Sequence, residues 1–276
     1  MSFKIVTDSS ADLTLLEGID FKSVPLKINT DNKEYVDNRE LDVVGMLSDL
    51  ARYNGKSHSS CPNSEEYLEA FGEAENVFCV TITSGLSGSY NSAMTAAKEY
   101  CKAHPERKVH VIDSLSTGPE NALLIEKLRS LISEGLDFES VKAEITEYHK
   151  HTRLIFALES MHNLSRNGRV SPIVAKVAGI LGIRVIGRAS EEGTLEIIEK
   201  SRGAANAITD IVKNMISDGY TSGRVKIHHA NNMPAAESLK EKILEKIPEA
   251  NIEISAAGGL CSFYAEQGGL LVGFEV

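Results

Sequence analysis

The feature that most constrains this chain is one stretch of 25 residues. Val77-Phe-Cys-Val-Thr-Ile82 is apolar and β-branched, the pattern of a buried strand. Tyr90-Asn-Ser-Ala-Met-Thr-Ala-Ala-Lys-Glu-Tyr-Cys101 is rich in alanine and predicts a helix. Between them lie Thr83, Ser84, Gly85, Leu86, Ser87, Gly88 and Ser89. A strand, a Gly/Ser turn and a helix, in that order, belong to an α/β sheet. The first N–H groups of such a helix lack internal partners and carry partial positive charge, so the turn is suited to an anion. Gly85 and Gly88 permit close backbone approach, and the hydroxyls of Thr83, Ser84, Ser87 and Ser89 add neutral donors. No lysine follows Gly88, which argues against a nucleoside triphosphate loop. Gly85-Leu-Ser87-Gly-Ser89 has serine where a nucleophile elbow needs its second glycine. A carboxylate or a single phosphate fits this turn better than either; a tight turn with capping serines is the plain alternative.

The same pattern recurs around it. Phe3-Lys-Ile-Val-Thr7 predicts a strand that runs into Asp8-Ser-Ser-Ala-Asp-Leu13, either a helix cap or part of a site. Lys108-Val-His-Val-Ile-Asp113 predicts another strand, leading into Ser114-Leu-Ser-Thr-Gly118. Ser57-His-Ser-Ser-Cys-Pro-Asn-Ser64 is a second hydroxyl-rich loop, and Asn63 with Glu66 forms a capping box for the helix that follows. Phe21 to Ile28 predicts a strand with Pro25 at an edge or bulge. Helices are predicted near 119–134 and 137–150. Alternating strands and helices imply a mainly parallel sheet, whose C-terminal edge gathers the polar clusters near 8, 84 and 114.

Beyond residue 155 the pattern changes. Arg184-Val-Ile-Gly187 and Thr194-Leu-Glu-Ile-Ile198 flank Glu191-Glu-Gly193 as a hairpin, so the second sheet is mixed or antiparallel. An apolar helix is predicted over 173–181. The expected fold class is therefore α/β in two domains. Residues 1–155 form a mainly parallel-sheet domain carrying the anion loops, and 156–276 an α+β domain.

Composition limits the function classes. The 276 residues are 42% apolar and 25% charged, with a net charge of −10, which opposes nucleic acid or an anionic membrane as main partner. Cys61, Cys79, Cys101 and Cys261 are scattered, which suggests reduced thiols in a cytoplasmic protein and neither a disulfide framework nor a zinc site. No run of ~18 apolar residues predicts a membrane span. The eight histidines show no metal-ligand spacing.

Taken as an ordered set, Thr7-Asp-Ser-Ser10, Ser59-Ser-Cys-Pro62, Ile82-Thr-Ser-Gly-Leu-Ser-Gly-Ser-Tyr90, Asp113-Ser114, Asn167-Gly-Arg-Val170 and His229-Ala-Asn-Asn232 resemble the DegV family. These are bacterial fatty-acid-binding proteins that include the binding subunit of fatty acid kinase. The resemblance spans the whole chain. It implies a bound long-chain fatty acid between two domains, no metal or other cofactor, no catalytic residue of its own, and in some relatives a kinase partner that makes acyl phosphate. It places the carboxylate at Ser59 and Ser84, with Ser87 and Tyr264 nearby. The acyl tunnel is expected at Phe156, Leu158, Leu164, Ile173, Val177 and Ile180, and a kinase contact at Arg169 and Arg202. Three departures stand out: Ser59-Ser-Cys-Pro62 for the usual Thr-Ser-Gln-Pro, Arg184-Val185 for Lys-Pro, and Tyr264-Ala-Glu-Gln-Gly268 where a histidine normally lies beside the carboxylate. Tyr264 can donate a neutral hydrogen bond but cannot serve as a cation, and Glu266 pointing inward would add charge of the wrong sign. The competing readings are a serine hydrolase using Ser87 or Ser84 with His229 or His58, and a sensor of a smaller carboxylate or phosphate.

Overall fold

The computed structural model describes residues 2–172 and 182–276. Two sheets organise it. The first is fully parallel, in the order β2-β1-β6-β7, from β1 (Phe3–Asp8), β2 (Asp20–Val24), β6 (Asn76–Thr81) and β7 (Lys108–Asp113). β6 is buried along its whole length, which is why it reads as an unbroken apolar run rather than an alternating one. Helices α2 (Ser64–Phe71) and α3 (Ser89–Ala103) supply Tyr67, Ala70, Phe71, Ala93, Ala96 and Ala97 to one face of this sheet. Helices α4 (Pro119–Ser133) and α5 (Phe138–Lys150) cover the other through Leu124, Leu128, Phe138, Val141 and Ile145.

The second sheet has the order β10-β9-β8-β13-β11-β12 and is antiparallel except for its last pair. Its strands are β8 (Thr152–Leu158), β9 (Ile183–Ala189), β10 (Leu195–Arg202), β11 (Arg224–His229), β12 (Asn251–Ala256) and β13 (Leu270–Glu275). The mixed sheet and the hairpin match the sequence expectation. The change of sheet falls at Thr152, a few residues before the expected boundary at 155, because β8 pairs with β9 and β13 and with no strand of the first sheet. Helices α7 (Ala204–Ser217) and α8 (Met233–Lys246) pack on its outer face. There Ala207, Ile211, Met215, Leu239 and Ile243 meet Ile155, Ile186, Ile227 and Val272. The inner face faces α4, which touches β1 and β6 on one side and β8, β11 and β13 on the other. Glu126 of α4 ties across to Lys226 of β11 at 2.7 Å.

A third, small sheet lies beside these two. β3 (Lys27–Asn29) pairs with β4 (Glu34–Val36) on one side and with β5 (His58–Ser60) on the other. The expected single strand 21–28 is thus two strands in two sheets, parted at Val24-Pro25-Leu26. Proline has no N–H to give to a ladder, so the chain leaves one sheet there and enters the next. Helix α1 (Val43–Arg52) lies beside this sheet with Met46 against Ile28 and Tyr35. The remaining helices are α6 (His162–Arg166) and α9 (Gly259–Ala265). The helix expected over 173–181 lies outside the described residues.

Candidate functional site

Between the two sheets lies a narrow cavity with a strongly apolar wall. β8 builds one side: Leu154, Phe156 and Leu158 alternate onto the inner face, while Ile155 and Ala157 point into the outer core. Leu271 of β13, opposite Phe156, and Leu195 at the start of β10 continue it. Leu164 of α6 and Leu260, Cys261 and Ala265 of α9 close one end, and Leu26, Ile82, Leu86 and Thr117 come from the loops of the first sheet. The site does form at the C-terminal edge of the parallel sheet, since Ile82, Leu86, Ser87 and Thr117 all follow β6 or β7.

The polar groups of the wall are few. Ser59 Oγ lies 2.7 Å from the Tyr264 hydroxyl, a pair joining β5 to α9 across 205 residues. Burial pushes the Tyr264 phenol up, partly offset by the Ser59 hydrogen bond and by Arg169, so the ring keeps its proton at neutral pH and acts as a neutral donor. Ser87 Oγ lines the cavity and accepts the Ser89 N–H at 3.2 Å. Arg169 is the cation of the wall among the described residues; its Nε donates to the Leu86 carbonyl (3.1 Å) and Nη1 to the Asn167 carbonyl (2.6 Å). Its guanidinium carbon lies 5.9 Å from the centre of the Tyr264 ring, a cation–π distance. Ser59, Ser87, Tyr264 and Arg169 thus share one cavity whose remaining wall is largely hydrocarbon.

The four hydroxyls of the central loop do not act alike. Ser84 is exposed and absent from the cavity wall; its N–H donates to Asp113 Oδ1 at 2.9 Å. Of the two loop serines expected near the carboxylate, the cavity wall includes Ser87 and not Ser84. Thr83 donates to the Gly193 carbonyl at 2.8 Å, fastening the loop to the tip of the β9–β10 hairpin. A Cβ at Gly193 would lie 2.1 Å from Thr83 Oγ1, so only glycine fits beneath this bond. Ser89 donates to Asp8 Oδ2. Asp8 proves to be a support rather than a wall residue. Its carboxylate is fully buried and accepts the N–H of Ile82 (3.0 Å) and of Ser10 (3.2 Å), anchoring the start of the serine loop. Burial raises its pKa, opposed by those hydrogen bonds.

Of the expected tunnel residues, Phe156, Leu158 and Leu164 are in the wall, whereas Ile173, Val177 and Ile180 lie outside the described residues. Arg169, expected on a partner surface, lines the cavity; Arg202 is exposed at the end of β10. Glu266 adds no charge to the cavity wall, because its Oε1 accepts the Asn163 N–H at 3.0 Å and holds the start of α6 against α9. The hydrolase partners are not placed for that role. His58 is exposed, and His229 Nδ1 accepts the Asn232 N–H outside the wall.

Helix α9, which carries Tyr264, had no local sequence signal. It begins at Gly258-Gly259, poor helix formers. Its cap comes from Asp37, just after β4, whose carboxylate oxygens accept the N–H groups of Gly259 (2.6 Å) and Leu260 (2.9 Å). A Cβ at Gly259 would meet Asp37 Oδ1 at 2.7 Å, so the glycine is what admits the carboxylate. Burial, with Asp12 nearby, lifts Asp37 to about 6 against those hydrogen bonds.

A protein-family model for DegV, described as an uncharacterised family, matches residues 2–275. The chain belongs to the DegV family. A DegV domain-containing protein of Streptococcus pneumoniae is 44% identical over 280 residues, with all of both chains covered. Among solved structures, the Streptococcus pneumoniae Fatty Acid Kinase (Fak) B3 protein, loaded with linoleic acid, matches at TM-score 0.98 and 44% identity over all of both chains. A DegV family protein from Eubacterium eligens, loaded with heptadecanoic acid, matches at TM-score 0.97 and 43% identity, again over all of both chains. A DegV lipid-binding protein from Thermotoga maritima matches at 0.89 and 26% over 100% of this chain and 99% of that one. Both sheets of this DegV protein, and the apolar space between them, therefore belong to an architecture seen in relatives that were solved with acyl chains.

Proposed function

We propose that this DegV protein is a non-catalytic carrier that holds one long-chain fatty acid in the cavity between its sheets. The observation that carries the reading is the polarity of that cavity: a mostly apolar wall of leucines, isoleucine and phenylalanine with Ser59, Ser87, Tyr264 and Arg169 as its polar group, the hydroxyl of the remaining polar wall residue, Thr117, donating to the Ser10 carbonyl. The carboxylate is assigned to these four, contributed by the loops of residues 1–155 and by the second part of the chain. The acyl tail is assigned to Leu154, Phe156, Leu158, Leu164, Leu195 and Leu271. A tail of roughly 14 methylenes gains about 0.8 kcal/mol each on burial, on the order of 11 kcal/mol gross, from which association and ordering take several back. The tail accordingly supplies the affinity and the polar group the orientation. Neutral hydroxyls can hold a carboxylate through charge-assisted bonds, and Arg169 offsets part of the cost of bringing its charge out of water.

The relatives solved with linoleic and heptadecanoic acids support this reading, and the name of the Streptococcus pneumoniae protein supports a fatty acid kinase as partner. In that role the carrier presents the carboxylate and the partner performs the phosphoryl transfer, with exposed Arg202 offered as a contact. No histidine is found among the described wall residues, so a serine nucleophile has no general base beside it.

The test is mass spectrometry of an organic extract from protein purified without detergent, followed by titration with palmitate and oleate. A stoichiometric C14–C18 acid is the expected result. An empty extract together with no uptake of either acid refutes the carrier and moves a smaller carboxylate or phosphate to first place.

A further inference from the structure

The apolar cavity has a neighbour. A wider, more polar cleft runs past the end of β8, lined by Ser114, Glu120, His149, Arg153 and Arg188 among others. Leu154 belongs to the wall of both spaces. The inner face of β8 shows why the change of character falls there. Leu158, Phe156 and Leu154 are apolar, and the next residue on that face, Thr152, donates to the buried carboxylate of Glu120 at 2.7 Å. Leu154 lies about 13 Å along the strand from Leu158, which leads towards α6 and the Ser59–Tyr264 pair.

Leu195 of β10, paired with Ala189, shares the level of Leu154, but the two strands flanking β8 offer no large side chain beside Leu154. Its partner across β13 is Gly273, where a Cβ would meet the backbone of Pro119 and Glu120 at 2.6 Å. On the other side, the register of β9 runs on from Arg188, opposite Ile155, to Ala189, which packs on the same apolar cluster and itself lines the cleft. One level nearer the polar group, Phe156 faces Leu271 and covers Gly187, so the wall there is full.

We propose that Leu154, the residue common to both walls, is the specificity residue that sets the length of acyl chain this carrier accepts, acting as a partition between the hydrocarbon cavity and the polar cleft. The inference rests on the carrier reading given above. A methyl end passing Leu154 enters a cleft lined mainly by polar and charged side chains, so additional methylenes gain less there than in the cavity. Cutting Leu154 back to alanine frees room for about two methylenes, each worth roughly fourfold in affinity when it gains cover.

The experiment is a competition series with saturated C14, C16, C18, C20 and C22 acids against a fluorescent acyl probe, on the wild type, Leu154→Ala and Leu154→Phe, with melting curves to confirm folding. The expected result is a rise of roughly 10-fold in the C20-to-C16 affinity ratio for Leu154→Ala and a fall in that ratio for Leu154→Phe. If Leu154→Ala does not fold, the Leu154→Phe profile decides alone. A wild type that binds these acids while the folded variants keep its length profile overturns the partition. A wild type that binds none of them overturns the carrier reading itself, and the partition with it.

Discussion

The sharpest prediction separates two serines three residues apart. Ser87 lines the cavity and accepts the Ser89 N–H, which leaves its own proton to donate to a ligand; Ser84 is exposed and outside the wall. Removing one hydroxyl that donates to a carboxylate costs about 1.5–3 kcal/mol, or roughly 10–150-fold in affinity. The loop itself is held elsewhere, by Asp8 on Ser89 and Ile82 and by Gly193 on Thr83, so Ser87→Ala leaves its course intact. The expected outcome is a Kd for oleate raised by about that factor in Ser87→Ala and changed by less than about twofold in Ser84→Ala. Displacement of a fluorescent fatty acid in detergent-free buffer measures both, and the methyl ester of oleate provides the control. The ester carries no charge, so its affinity is expected to fall much less on losing Ser87. Equal weakening by both alanines, or an ester as sensitive to Ser87→Ala as the acid, would show that the carboxylate is held elsewhere.

Two further predictions concern the frame around the cavity. Gly193 has φ +71° and no room for a Cβ beneath Thr83, so Gly193→Ala is expected to cost about 2–4 kcal/mol and to loosen the serine loop. Thermal melting reads the first effect, and faster hydrogen exchange at residues 83–89 reads the second; an unshifted melting temperature refutes the fit. Asp37 is lifted to about 6 by burial, above its ordinary 3.8, so it binds a proton more readily folded than unfolded. Its contribution is therefore greatest below about pH 4 and is lost as pH rises through 6, a change of about 3 kcal/mol. Asp37→Asn cannot titrate, and denaturant melts at pH 4 to 7 are expected to show the wild type losing stability relative to it by that amount; parallel curves refute the assignment.

What the sequence revealed and what it hid follow from the range of the forces involved. The parallel sheet, the hairpin at Glu191-Glu-Gly193 and most helices were legible because apolar spacing and local caps decide them. β5 was not, because His58-Ser-Ser60 has neither alternation nor β-propensity and becomes a strand only by pairing with β3. α9 was hidden for a similar reason: its cap is a carboxylate 222 residues earlier in the chain. At the site, the family resemblance pointed to loops that border the cavity, but choosing among four neighbouring hydroxyls needed their partners. Thr83 is spent on Gly193, Ser89 on Asp8, and Ser84 faces solvent, which leaves Ser87. The inward turn of Arg169 was equally invisible, since its direction is set by the Leu86 and Asn167 carbonyls.

The cavity wall draws on residues from Leu26 to Leu271, so the space is complete only when nearly the whole chain is folded. An acyl chain seated there binds the native protein and has no comparable site on the unfolded one. At a free concentration 100 times its Kd, such a ligand adds about 2.7 kcal/mol to the folding equilibrium. Cargo and fold are then one reservoir. A cell short of fatty acid would hold a carrier that opens more often and is more readily degraded, so supply would bear on how much carrier persists.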